Sequence, residues 1–107
     1  MQGDGAASEL VAFAEVMRAL GDETRLRILR TLGSGRLCVG DLAHALGVSQ
    51  PLVSHHLKAL KHAGLVGCHR EGPWVYYAVR REAFQRLGLG ALWEPGGVLG
   101  PQEGSAP

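Results

Sequence analysis

Hydrogen-bonding and basic side chains recur at helical spacing in the middle of the chain, between Ser49 and Val66. Val53, Leu57 and Leu60 recur at the spacing of one apolar helix face. Off that face lie side chains that hydrogen-bond or carry positive charge, namely Gln50, Ser54, His55, Lys58, Lys61 and His62. Polar groups near the start of a helix, with lysines further along, can contact base edges and phosphates in a DNA major groove. The alternative is an ordinary surface helix with a solvated polar face.

Local signals delimit this segment as one helix. Ser49 is a residue type that caps helix N-termini, and Pro51 falls in the first turn, where a missing N–H costs little. Gly64 is the residue type that ends helices. We therefore predict a helix that begins after Ser49 and stops before Gly64.

The flanking segments predict the helix that precedes this one and the hairpin that follows it. The segment from Asp41 predicts a short helix ended by Gly47, with Val48 as the apolar residue of the turn before Ser49. Residues 66–71 and 74–79 predict two strands joined by a Gly-Pro turn, because the second run is rich in β-branched and aromatic residues. A helix, a short turn, a second helix and a hairpin occur in this order in winged helix-turn-helix proteins.

The rest of the chain completes one small domain. Residues 8–20 predict an amphipathic first helix, Asp22 caps a second helix, and residues 36–39 predict a short third strand beside the hairpin. A final helix is expected over residues 82–93. The predicted organisation is a flexible N-terminus (1–7), one DNA-binding and dimerisation domain (8–93) and a disordered Gly/Pro-rich tail (94–107).

Basic charge is concentrated where the polar helix and the hairpin lie. The net formal charge of the 107 residues is only +1, but residues 49–81 contain five Lys or Arg and one acid. The hairpin contributes Arg70, which we predict to contact phosphate from the wing. Since no apolar run approaches transmembrane length and no signal peptide is recognisable, we expect a cytoplasmic protein without a membrane partner.

With these residues in view, the chain resembles the ArsR/SmtB family of metal- and metalloid-responsive bacterial repressors. The matching segments are 19–29, 37–42, 49–66 and 72–77. The resemblance implies a mainly α, dimeric winged helix-turn-helix fold with a small β-hairpin wing, in the order helix, helix, short strand, helix, helix, strand, strand, helix. It also implies dimerisation through the first and last helices, and base contacts from the start of the recognition helix, here Gln50, Ser54 and His55.

The sequence departs from the family at its sensing sites. The family's arsenic site has three thiols in a Cys-Val-Cys-Asp-Leu-Cys segment, whereas residues 38–43 retain only Cys38. The histidines of the family's final-helix zinc site are missing from residues 80–107. Cys38 is thus either the remnant of a sensing position or a small buried apolar residue. A bridge to Cys68 is not expected, because an intervening strand separates the two by roughly 9–10 Å.

The sequence therefore predicts a DNA-binding transcriptional regulator, a repressor that binds a palindromic operator as a homodimer. No catalytic residues are predicted, since the chain has no phosphate-binding glycine loop, no carboxylate pair and no Ser or Cys placed with a base. No cofactor is expected to be required. A transition-metal effector with unknown ligands, or a thiol response at Cys38, stays open. The alternatives are an inducer-independent or activator-type regulator, and a winged-helix module that binds protein.

Overall fold

The structure, a computed structural model, describes residues 2–102, with side chains from residue 8 onward. The helices are α1 Gln2–Leu20, α2 Glu23–Leu32, α3 Val39–Leu46, α4 Gln50–His62 and α5 Arg81–Arg86, followed by a 3-10 helix at Gly90–Trp93. The strands are β1 Arg36–Leu37, β2 Val66–Glu71 and β3 Trp74–Val79.

Capping groups fix where the central helices begin and end. The Asp22 carboxylate accepts a hydrogen bond from the backbone N–H of Arg25 at 3.0 Å, and the Ser49 hydroxyl accepts one from Leu52 at 3.2 Å. Gly47 ends α3 with φ +69°, a left-handed conformation that L side chains rarely adopt. The chain therefore turns sharply from α3 into α4, as the sequence predicts.

The three strands form one antiparallel sheet in the order β1-β3-β2. Leu37 and Cys68 both pair with Tyr77, from opposite sides of the central strand. This confirms the predicted hairpin and the presence of a third strand, which is shorter than the predicted residues 36–39 because α3 already begins at Val39. Together with α3 and α4, the sheet gives the winged helix-turn-helix architecture that the sequence predicts.

A single core lies where α2, α3, α4 and α5 meet the sheet. Its fully buried large side chains are Ile28, Leu29, Leu42, Val53, Leu57, Leu60, Leu65, Val66, Phe84 and Leu99. Val53, Leu57 and Leu60 among them are the apolar face of α4 that the sequence pattern identifies. The core holds α4 against α2 and α3 and leaves the opposite face of α4 to solvent.

The two ends differ from the sequence-based expectation. Helix α1 includes residues 2–7, which we expected to be flexible. Extending an existing helix adds one hydrogen bond per residue, so a helix formed over 8–20 can propagate toward the N-terminus. The final helix ends at Arg86 instead of running through residue 93, and Gly88 follows with φ +75°.

The described part of the predicted disordered tail is packed against the domain. Leu99 is only 2% exposed, and its backbone N–H donates to the Leu92 carbonyl at 2.9 Å. A Cβ at Gly100 would overlap the Glu94 carbonyl, so glycine here permits a close backbone contact. The expectation of disorder from residue 94 is therefore wrong as far as residue 102. Residues 103–107 lie outside the described part of the chain.

Candidate nucleic-acid interface

Helix α4 carries the candidate recognition surface. Val53, Leu57 and Leu60 are fully buried beneath it. All six predicted DNA contacts are solvent-accessible side chains, five on α4 and one on β2: Gln50, Ser54, His55, Lys58, Lys61 and Arg70. The structure thus confirms that these residues face solvent. Their contacts with DNA stay a prediction.

A buried histidine fixes α4 to the N-terminal half of the domain. His56 is 7% exposed, and its Nδ1 lies 3.2 Å from Nη1 of Arg25. Burial, together with the Arg25 charge, lowers the pKa of His56, while Asp22 opposes the shift. A neutral ring can accept the Arg25 hydrogen bond at Nδ1, whereas a protonated ring cannot. His56 therefore packs toward the core rather than into solvent.

Arg25 has a structural role that the helical pattern did not reveal. Its position off the apolar face of α2 predicts a solvated side chain, but Nε donates to the Ala19 carbonyl at 2.7 Å and Nη2 to the Arg18 carbonyl at 3.5 Å. The guanidinium therefore joins the end of α1 to His56 of α4. Only a contact across the fold, 31 positions apart in the chain, identifies this role.

The first turn of α4 presents both polar and apolar groups. The Gln50 amide lies over the start of α3, where its Nε2 would be 3.6 Å from a Cβ at Gly40. Leu52, between the two polar positions Gln50 and Ser54, is exposed. An exposed apolar side chain at this point can contact a thymine methyl group. In the sequence, the position of Leu52 outside the Val53/Leu57/Leu60 stripe indicates that its side chain is exposed.

The C-terminal half of α4 is linked to the wing. Lys61 Nζ donates to Cys68 Sγ on β2 at 3.0 Å, and this hydrogen bond raises the pKa of the Lys61 ammonium group. Lys61 therefore remains charged while it lies beside the wing. Lys58, one turn earlier, is exposed.

An ion pair neutralises the one acid of the wing. Arg36 on β1 binds Glu71 through both terminal nitrogens, at 2.7 and 3.2 Å, and its guanidinium stacks 4.4 Å from the Tyr76 ring centroid. Hydrogen bonding to Arg36 also lowers the pKa of Glu71. The exposed Arg70 therefore keeps a positive charge on the wing beside a neutralised carboxylate.

The two cysteines lie in different surroundings. Cys38 and Cys68 are free thiols, as predicted. Cys38 is half-buried at the start of α3, and its Sγ donates to the Asp41 carboxylate at 3.2 Å, while Cys68 contacts Lys61. Among residues 8–102, no three His, Cys, Asp or Glu side chains are grouped as metal ligands. This donor set does not fit the three-thiolate geometry that a trivalent metalloid requires.

The fold and the exposed face of α4 together define a regulator of the winged helix-turn-helix class. Residues 22–67 match the family described as "Bacterial regulatory protein, arsR family". The chain belongs to this family. None of the described helices combines the length and apolar character that crossing a bilayer requires.

Three relatives illustrate the match. The arsenic resistance transcriptional regulator ArsR1 of Pseudomonas putida is 40% identical over 82 residues, which cover 76% of this chain and 64% of the relative. The transcriptional repressor SdpR of Bacillus subtilis is 39% identical over 70 residues, covering 65% of this chain and 78% of the relative. A homodimeric winged helix-turn-helix DNA-binding domain from Mycobacterium bovis superposes with a TM-score of 0.70 at 40% identity, covering 76% of this chain and 75% of that structure.

Proposed function

We propose that this protein is a cytoplasmic transcriptional repressor that binds a palindromic operator as a homodimer. Family membership supports a regulatory role, and relatives bear the names of transcriptional repressors. The observation that carries the proposal is the row of exposed polar and basic side chains along α4. On its buried face, α4 is fixed to the domain by the packed apolar stripe and by the Arg25–His56 contact.

The proposed contacts divide by chemistry. Gln50, Ser54 and His55, in the first two turns of α4, read base edges in the major groove. Lys58, Lys61 and Arg70 bind phosphates, from the later turns of α4 and from the wing. Because Lys61 is hydrogen-bonded to Cys68, α4 and the wing approach the DNA as one unit.

A second copy of the chain is the proposed protein partner. Leu10 and Val11 on α1 are 70% and 58% exposed, and Phe13 is exposed as well. Such apolar surface at one end of a helix suits a two-fold contact between subunits. The M. bovis neighbour is homodimeric. In a dimer bound to DNA, the two α4 helices would lie about 34–36 Å apart, one helical turn of the duplex.

We propose that control of this repressor does not use a chelated metalloid. Cys38 is the only thiol at the family's sensing segment, and it donates a hydrogen bond to the Asp41 carboxylate. An inducer-independent regulator and a thiol-modified regulator are both consistent with this arrangement. A protein-binding module is disfavoured, because the exposed face of α4 is polar and basic.

Selection from a random duplex library tests the function. The chain is incubated with the library, bound DNA is sequenced, and affinity for the enriched site is measured by fluorescence anisotropy. We expect an inverted repeat with half-sites one helical turn apart. His55→Ala should weaken binding to this site by roughly 1–3 kcal/mol.

His62→Ala is the matched control, because His62 is also exposed on α4 but lines a cavity beside Glu15 and Arg18 of α1. It should leave the affinity within about twofold. If no motif is enriched, or if both variants bind the site equally weakly, the assignment of α4 as a recognition helix is wrong.

A further inference from the structure

A small cavity lies on the domain between α2, α5 and the C-terminal segment. It measures about 200 Å³ and shares no residue with the proposed DNA contacts. Arg30 in the last turn of α2, Ser34 in the following turn and Arg81 at the start of α5 supply its polar groups. Leu99 and Pro101 of the C-terminal segment close it on the apolar side.

The described residues that line the cavity carry positive charge and no negative charge. Two arginine side chains line it, and no acidic side chain among residues 8–102 does. The ion pairs seen within the described part of the chain are those of Arg36, His69 and Arg80, so neither Arg30 nor Arg81 is neutralised there. Two arginines on one small cavity attract an anion, since a guanidinium group offers several N–H donors in a fixed plane.

Arg81 also has a buried donor without a partner. Its Nε is buried and has no acceptor among the described residues. A donor left unsatisfied in this way is costly, and in native proteins it often indicates a bound water or ion. The Arg81 guanidinium lies 4.1 Å from the centroid of the Trp93 ring. Trp93 is itself buried, with Phe84 packed edge-on at 5.2 Å, so the guanidinium is held in a fixed orientation.

We propose that this cavity binds a small oxyanion, such as a phosphate, a sulfate or a short carboxylate, between Arg30 and Arg81. Planar guanidinium groups form paired hydrogen bonds with such oxygens. The volume is below the range of roughly 300–1,000 Å³ typical of drug-sized ligands, which limits the occupant to a few heavy atoms. A bound oxyanion links the end of α2 to α5 and stabilises the C-terminal segment around Leu99.

The two tryptophans make binding measurable. Trp74 is exposed at the wing, whereas Trp93 contacts Arg81, so Trp74→Phe leaves a single reporter beside the cavity. Sodium phosphate, sodium sulfate and sodium acetate are each titrated into this protein at constant ionic strength maintained with sodium chloride. We expect a saturable change in Trp93 emission with at least one oxyanion, and a Tm that rises steadily with the concentration of the same oxyanion. The separate titrations identify which oxyanion geometry is bound.

Charge-removing variants decide whether the cavity is responsible. Arg81→Gln and Arg30→Gln should each weaken binding at least tenfold. Arg86→Gln removes the same charge from an exposed position on the same helix and should leave the midpoint within twofold. Arg81→Lys keeps the positive charge but removes the planar guanidinium group and its paired hydrogen bonds, so it should also weaken binding. If Arg81→Gln fails to fold by circular dichroism, Arg30→Gln and Arg81→Lys provide the test.

The proposal is overturned if chloride alone produces the same change, if no oxyanion gives saturation, or if binding persists unchanged in Arg30→Gln and Arg81→Lys.

Discussion

At the scale of single residues, the side chains of α4 differ in what they can recognise. Gln50, Ser54 and His55 carry groups whose donors and acceptors can match one base and mismatch another. Lys58 and Lys61 carry point charges, which bind any phosphate and release counter-ions from any duplex. All five are accessible to solvent along one helix, so substitutions can separate base recognition from phosphate binding.

The first prediction compares His55→Ala with Lys58→Ala. Lys58→Ala should weaken binding to specific and random duplexes alike, and should reduce the slope of log K against log salt by about one unit for each phosphate that is no longer neutralised. Gln50→Ala or His55→Ala should instead reduce discrimination at particular base pairs, by roughly 1–3 kcal/mol each. Anisotropy titrations at several salt concentrations measure both effects. Equal weakening on both kinds of DNA from all three variants would contradict the division.

The second prediction concerns the thiol at the start of α3. Cys38 has one carboxylate neighbour and no second thiol, and Cys68 lies beyond the central strand β3. We therefore expect weak or no release of operator DNA by arsenite, and the same response from Cys38→Ser as from wild type. Treatment with a thiol oxidant provides the comparison. If the oxidant releases operator DNA from wild type but not from Cys38→Ser, Cys38 responds by oxidation and not by chelation. Tight stoichiometric arsenite binding that Cys38→Ser abolishes would refute this prediction.

At the scale of elements, local signals were sufficient for the centre of the fold and insufficient for its long-range contacts. The Ser49 cap, the apolar stripe of α4 and the Gly-Pro turn all act within a few residues, and the sequence placed α4 and both long strands correctly. Leu99 was missed because its burial depends on residues 90–93 and α2 rather than on its glycine-rich neighbours. The Arg25–His56 contact was missed for the same reason.

The third prediction follows from the buried ring of His56. Its pKa is lowered below the usual 6.5, first by burial. As the pH falls through 6.5, the unfolded chain takes up a proton that the folded chain does not, so stability is fully present above this pH and decreases below it. Urea unfolding from about pH 7.5 to about pH 5.5 should show a decrease of at most about 1.4 kcal/mol per pH unit.

Substitutions assign this pH dependence to His56. His56→Gln should flatten the dependence, whereas the exposed His62→Gln should preserve it. Asp22 and Glu71 do not interfere, because their lowered pKa values affect stability only below about pH 4.5. Parallel slopes for wild type and His56→Gln would rule out the histidine as the cause.

The fourth prediction tests whether the C-terminal segment belongs to the core. Leu99 is 2% exposed and its neighbour Val98 is 58% exposed. Leu99→Ala should lower the free energy of unfolding by about 2–3 kcal/mol, within the range for truncating a buried leucine. Val98→Ala should change it by less than about 0.5 kcal/mol. Denaturant unfolding of the two variants gives the comparison, and equal small effects would mean that the segment is not packed in solution.

At the scale of the whole molecule, the subunit is elongated because α1 extends beyond the core. The principal extents are 52 × 35 × 23 Å, and the radius of gyration is 15.0 Å. A compact domain of about 100 residues has a radius of gyration near 13 Å. Val16 and Ala19 in the second half of α1 are buried, whereas the apolar side chains Leu10 and Val11 nearer its start are exposed. An extended helix with an uncovered apolar end favours association of two subunits.

The fifth prediction is that this end of α1 holds the dimer together. The double substitution Leu10→Gln and Val11→Gln should shift the protein toward monomer in sedimentation velocity. In a two-fold interface each residue occurs once in each subunit, so each substitution removes two apolar side chains from the interface. Burying an aliphatic side chain contributes roughly 1.5–3 kcal/mol, so the dimer should weaken by well over tenfold. Glu9→Gln introduces the same amide at the adjacent exposed position and should leave the dimer intact.

DNA binding then distinguishes dissociation of the dimer from a failure to fold. The Leu10/Val11 variant should bind a single half-site with unchanged affinity and the full palindrome much more weakly than wild type does, because the two α4 helices are no longer joined. A folding defect would reduce both affinities together. A wild-type chain that sediments as a monomer at micromolar concentration with operator DNA present would contradict both the dimer and the palindromic site.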